Sequence, residues 1–201
     1  MAVAASMPLR LTICGLDEIA GHCAQGVTHV LSILDPGWPE PEPIGSFELG
    51  RRLKLNFHDV IEATPEWIAP EQCDVELLLA FGRNLGDWTG DDGGDPEARE
   101  LHLLVHCHAG VSRSTAAAIL LLAQHHPDRP ARDIVGRVIR LRPRAWPNLR
   151  MVEIGDALLG RDGEIVAAVR SLYRLMLDRE PGLADAMIDA GRGREVAAAG
   201  V

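Results

Sequence analysis

Lysine is almost absent from this chain: of its 20 basic residues only Lys54 is a lysine, and the rest are arginines. Aromatic residues are scarce at 4%, with Tyr173 the sole tyrosine. No apolar run approaches the roughly 20 residues that a bilayer span needs. The start shows no basic region followed by a long apolar stretch, so neither a membrane anchor nor a secretory leader is expected. The four cysteines, at 14, 23, 73 and 107, follow no disulfide framework. This suits a reducing compartment and predicts a cytoplasmic protein. A net charge of −9 argues against nucleic acid or an anionic membrane as partner.

What remains is the composition of an ordinary globular protein, 47% apolar and 24% charged, over a length that suits one domain. Short apolar segments read as strands at Leu9–Cys14, 27–34, 51–57 and from Leu101, with a short helix at 17–23 after the first. Helical patterns follow at 66–85, 114–125, 131–141, 149–159 and 164–177, with Pro127, Pro130, Pro143 and Pro147 at the joints. Strands alternating with helices predict an α/β fold, a single domain with a mainly parallel central sheet flanked by helices. The domain is expected over 1–180. From 181 to 201 the apolar pattern weakens, and Gly191-Arg192-Gly193 predicts a loosely ordered C-terminal tail.

Chemistry concentrates at Val105-His106-Cys107-His108-Ala109-Gly110-Val111-Ser112-Arg113-Ser114. There a strand pattern hands over to a helix pattern through a short loop. Such a junction aims backbone N–H groups and a helix N-terminus at one spot, which binds an anion. Cysteine, glycine at the third position after it, arginine at the sixth and serine next would coincide by chance only roughly 0.002 times in a chain of this composition. A free thiol is mostly protonated at neutral pH, so a reactive cysteine needs the helix dipole, loop amides or a guanidinium to favour its anion. Arg113 suits both the sulfur and a phosphate, because its planar fork binds two oxygens at once. Gly110 suits a loop that turns sharply. The alternative reading of Cys107 is an inert core thiol. The cluster His102, His106, Cys107 and His108 lacks zinc-ligand spacing, so no metal and no other cofactor is expected.

This segment resembles the signature His-Cys-x2-Gly-x2-Arg-Ser/Thr of the cysteine-dependent protein tyrosine phosphatases, most closely the dual-specificity and bacterial tyrosine-phosphatase-like branch. The resemblance is specific over 106–114 and looser over 9–160. It implies a phosphate-binding loop between core strand and helix, and phosphomonoester hydrolysis through a phosphocysteine intermediate. Within that loop His108, Ala109, Gly110, Val111 and Ser112 would bind the substrate phosphate. Ser114 would help the sulfur leave, and His106 would hold the loop. Asn148, in a stretch Arg140 to Asn148 like one that follows the phosphate-loop helix in this branch, either caps the next helix or helps fix the loop.

The resemblance also implies a carboxylic acid on a neighbouring loop that protonates the leaving group and later activates water. Asp59, just after the third strand, is the expected residue, with a turn or capping role as its alternative. Asp91 and Asp92, near Trp88 in the turn-rich stretch 86–96, are reserves. Phosphatases of inositol lipids often carry lysines in this loop, and none is present here. The expected substrate is therefore a phosphorylated protein or a small aryl phosphate. An arsenate-reductase or rhodanese-like cysteine enzyme and a catalytically weak phosphate-binding module are the alternatives. Oligomeric state does not follow from these residues.

Overall fold

Four apolar segments pair side by side, all parallel. These are β1 (Leu9–Cys14), β2 (His29–Leu34), β3 (Arg52–Asn56) and β4 (Leu101–His106), in the order β1-β4-β2-β3. The computed structural model describes residues 9–85, 101–180 and 182–200. The 86–96 stretch, with Trp88, Asp91 and Asp92, lies outside them.

All six residues of β4 are buried, as expected of a central parallel strand covered on both faces. Alternation divides its side chains. Leu103 and Val105 join Leu11, Ile13, Leu31, Ile33 and Leu55 in the main core, while Leu104 meets Cys14 and Val30 on the other face. Ile19 of α1 (Ile19–Cys23) and Ile44 of α2 (Glu42–Gly45) close that second, smaller core.

The large face carries α3 (Gln72–Asn84), α4 (Arg113–His125), α5 (Ala131–Leu141), α6 (Leu149–Leu158) and α7 (Glu164–Arg179). Of these, α4 is buried without interruption from Arg113 to Ala123. Its alanines let the sheet, α3, α5 and α6 approach closely around it. Asp156 at the end of α6 accepts the Gly163 and Ile165 amides at 2.6 and 2.7 Å, which satisfies donors that the start of α7 leaves free.

The expected loose tail is not what the structure shows. Residues 183–198 form α8 (Leu183–Asp189) and α9 (Gly193–Ala198), and Glu195 is fully buried. Leu183, Met187 and Val196 pack against the main core, and Arg192 and Glu195 add a buried ion pair that a search for apolar periodicity passes over.

Register aligns the carboxyl ends of the strands. Cys14 and Ser32 both stand opposite His106, and Leu34 stands opposite Asn56. Gly15, Asp35, Phe57 and Cys107, each just past its strand, therefore gather at one edge, where parallel sheets bind ligands.

Candidate active site

The loop 107–112 connects β4 to α4, and the carbonyls of residues 108–112 all accept from neighbouring elements. Leu16 N donates to the His108 carbonyl at 2.9 Å and Trp146 N to that of Val111 at 2.9 Å. Arg142 spans two more, with Nη2 2.9 Å from the Ala109 oxygen and Nε 3.0 Å from the Gly110 oxygen. The Ser112 carbonyl takes Ala116 N at 3.0 Å and Thr115 Oγ1 at 2.9 Å. None of the amides of 108–112 has an acceptor among the described residues. A loop whose carbonyls are spent outward and whose N–H groups are unspent is a cradle for an anion.

Gly110 makes the turn possible. Its φ is +70°, and a Cβ there would lie 2.4 Å from the Cys14 carbonyl carbon and 2.6 Å from its oxygen. The loop backbone thus rests directly on the end of β1. Glu18 steadies Arg142 from the same side, its Oε1 2.9 Å from Nη1, and its Oε2 accepts the Gly15 amide at 2.7 Å. The Arg142 and Gly15 bonds hold the Glu18 carboxyl below the usual carboxylate range.

Cys107 is buried at the base of the loop, and Ser114 Oγ, in the first turn of α4, lies 3.3 Å from its sulfur. His106 is fully buried, with Nε2 2.6 Å from Ser32 Oγ, and burial pushes its pKa down to about 4. Its ring is therefore neutral at physiological pH. Arg113 Nη1 donates to Asp35 Oδ1 at 2.6 Å and to the Phe57 carbonyl at 2.7 Å, anchoring the guanidinium to the ends of β2 and β3. Its Nε is buried and has no hydrogen-bond partner among the described residues. A buried guanidinium N–H without an acceptor is costly, and an anion in the loop would supply one.

His108 and Trp38 form one wall, ring centroids 4.5 Å apart and edge-to-face. Asp35 N donates to His108 Nε2 at 3.2 Å, which places the ring proton on Nδ1. Burial lowers the pKa of His108, against the pull of Asp35. Ala109 is exposed at the loop's tip and Val111 half-buried.

Asp59 faces the loop from the segment after β3. Its Oδ1 accepts from Ser112 Oγ at 2.7 Å, Asn148 Nδ2 at 2.9 Å and Arg192 Nη1 at 3.1 Å. Asn148 Oδ1 also accepts Met151 N at 3.1 Å and caps α6, while its Nδ2 reaches the segment after β3 rather than the loop itself. The structure thus brings every sequence-predicted site residue in the described chain to one edge of the sheet.

Sequence reasoning missed Asp35, Glu18, Arg142, Arg192 and Glu195. Asp35 had a signal, its place directly after a parallel strand. Arg142 and Glu18 lie 124 residues apart, and nothing local announces their pairing.

No family model matches the chain, and no curated protein matches it. Solved structures do. The crystal structure of the Cydia pomonella PTP-2 phosphatase superposes with a TM-score of 0.53 at 19% identity, covering 74% of this chain and 84% of that one. The Yvh1 phosphatase domain from Chaetomium thermophilum gives 0.51 at 20% identity, over 81% of this chain and 96% of its own. Human DUSP28 gives 0.50 at 18%, over 75% and 94%. The chain therefore has the fold of the tyrosine and dual-specificity phosphatases.

Proposed function

We propose that the chain is a cysteine-dependent phosphomonoester hydrolase of the tyrosine and dual-specificity phosphatase family. One observation carries this reading: a loop with outward carbonyls and unspent amides surrounds Cys107, beside the unpartnered Nε of Arg113. Three equatorial phosphoryl oxygens would take those donors while the Cys107 sulfur attacks phosphorus in line. The S–P bond forms as the ester P–O bond breaks, and Asp59 passes a proton to the leaving oxygen. Water then attacks phosphorus and gives its proton to Asp59. The P–S bond breaks, phosphate departs and the thiolate returns. Ser114 has a use in this second half, because a hydroxyl 3.3 Å from the sulfur stabilises it as a leaving group. That placement favours turnover over mere phosphate binding.

The site suits a phosphorylated side chain of a protein or a small aryl phosphate, with Trp38, 44% exposed, beside the loop to meet an aromatic ring. A reducing, cytoplasmic setting fits a reaction that needs a free sulfur. The test is hydrolysis of aryl phosphates with chelator present. Turnover without added metal, and competitive inhibition by orthovanadate, are expected. Turnover that a chelator abolishes and a divalent cation restores would overturn the reading.

A further inference from the structure

The C-terminal helices reach into the site. Arg192, between α8 and α9, is 7% exposed and donates to groups on both sides of the catalytic cleft. Its Nη1 lies 3.1 Å from Asp59 Oδ1 and its Nη2 3.0 Å from Ser112 Oγ. Glu195, one turn on, holds the same guanidinium through Nε at 2.7 Å and Nη2 at 2.7 Å. Glu195 is itself fixed by Trp146 Nε1 at 2.5 Å and Leu149 N at 2.9 Å. Arg194 repeats the theme two residues later, donating to Glu62 Oε1 at 2.6 Å, the Ile61 carbonyl at 3.2 Å and Glu153 Oε1 at 2.7 Å. Two arginines of the supposed tail thus clamp the segment 59–62 against the phosphate loop and α6.

We propose that Arg192 is a positioning residue for proton transfer, orienting Asp59 toward the leaving oxygen and stabilising the charge it acquires. This rests on the hydrolase reading above. Oδ1 of Asp59 is occupied by Ser112, Asn148 and Arg192, so Oδ2 is the atom that carries the transferable proton. When that proton moves to the leaving oxygen, the P–O bond cleaves and Asp59 becomes a carboxylate beside Arg192. The same carboxylate then accepts a proton from the attacking water. A cation fixed at Oδ1 therefore stabilises the state that exists between the two steps. Nε and Nη2 of Arg192 are spent on Glu195 and Ser112, and Nη1 is turned to Asp59, so the guanidinium orients the acid.

The test compares phenyl phosphate, whose leaving group needs a proton, with p-nitrophenyl phosphate, whose leaving group needs it far less. In the full chain, Arg192→Gln should cost phenyl phosphate about tenfold more in kcat/KM, which reports the step that releases the leaving group, than p-nitrophenyl phosphate. That selective loss should vanish in an Asp59→Asn background, and Arg192→Lys, which keeps the charge, should restore part of it. Arg192→Gln leaves Glu195 buried without its cation, so Arg192→Gln with Glu195→Gln is the companion variant if the single one fails to fold. Equal losses on both esters, or a selective loss that persists with Asp59→Asn, would overturn the role of Arg192 while leaving the hydrolase reading intact. An unmodified chain that turns over neither ester would overturn both.

Discussion

Arg113 Nη1 meets Asp35 Oδ1 at 2.6 Å, so a carboxylate from the end of β2 fixes the guanidinium that faces the phosphate loop. The Phe57 carbonyl takes the same nitrogen at 2.7 Å, and Nε is left for a ligand. A lysine would keep the charge and lose the fork. Arg113→Lys should therefore lower kcat/KM for an aryl phosphate by about 100-fold or more. Asp35→Asn should cost about tenfold, because the guanidinium is then less well aimed. Steady-state kinetics check both, and a loss below about fivefold for Arg113→Lys would mean that the fork does not hold the phosphate.

Gly110→Ala should damage the loop itself. At φ +70° a side chain is strained, and the new Cβ would collide with the Cys14 backbone at 2.4 Å. Strain and collision together should cost about 2 kcal/mol or more in urea unfolding, with a matching loss of orthovanadate inhibition. A variant with unchanged stability and unchanged vanadate affinity would show that the loop does not rest on β1 as described.

Acid should destabilise the protein through His106. Its folded pKa is about 4 against an ordinary 6.5, so between these values the unfolded chain binds the extra proton. Stability from this group is complete above pH 6.5 and falls as the pH drops toward 4. At pH 5 the loss is about 2 kcal/mol relative to neutral pH. His29 and His108 are shifted in the same direction and add to the slope. Urea midpoints measured from pH 7.5 to 5 should fall less steeply for His106→Gln than for the unmodified chain. Parallel curves would show that His106 is not held neutral.

How much of this was legible depended on whether the signal was local. The loop 107–112 was readable because its residues are consecutive, and α5 because Ile134, Val135 and Val138 share one face of a helix that carries Arg132, Asp133, Arg137 and Arg140 elsewhere. The parallel sheet followed from strands alternating with helical segments. The segment 183–198 was not legible because its apolar contacts, through Leu183, Met187 and Val196, are few and widely spaced, and its buried ion pair, Arg192 with Glu195, counts as polar in any apolar pattern. Its bond to Asp59 joins residues 133 apart. Such contacts leave no periodicity and no spacing rule, so only the folded chain reveals them. Asp59 was legible as a residue past a strand end, whereas the donors that crowd its Oδ1 were not.

The proposed hydrolysis turns on whether the Cys107 sulfur takes the phosphoryl group. Mixing the chain with a radiolabelled aryl phosphate, quenching with denaturant and mapping the labelled peptide tests it most directly. Label is expected on the peptide containing Cys107, and neither label nor turnover with Cys107→Ser. Label on another residue, or turnover by Cys107→Ser at the rate of the unmodified chain, would contradict it.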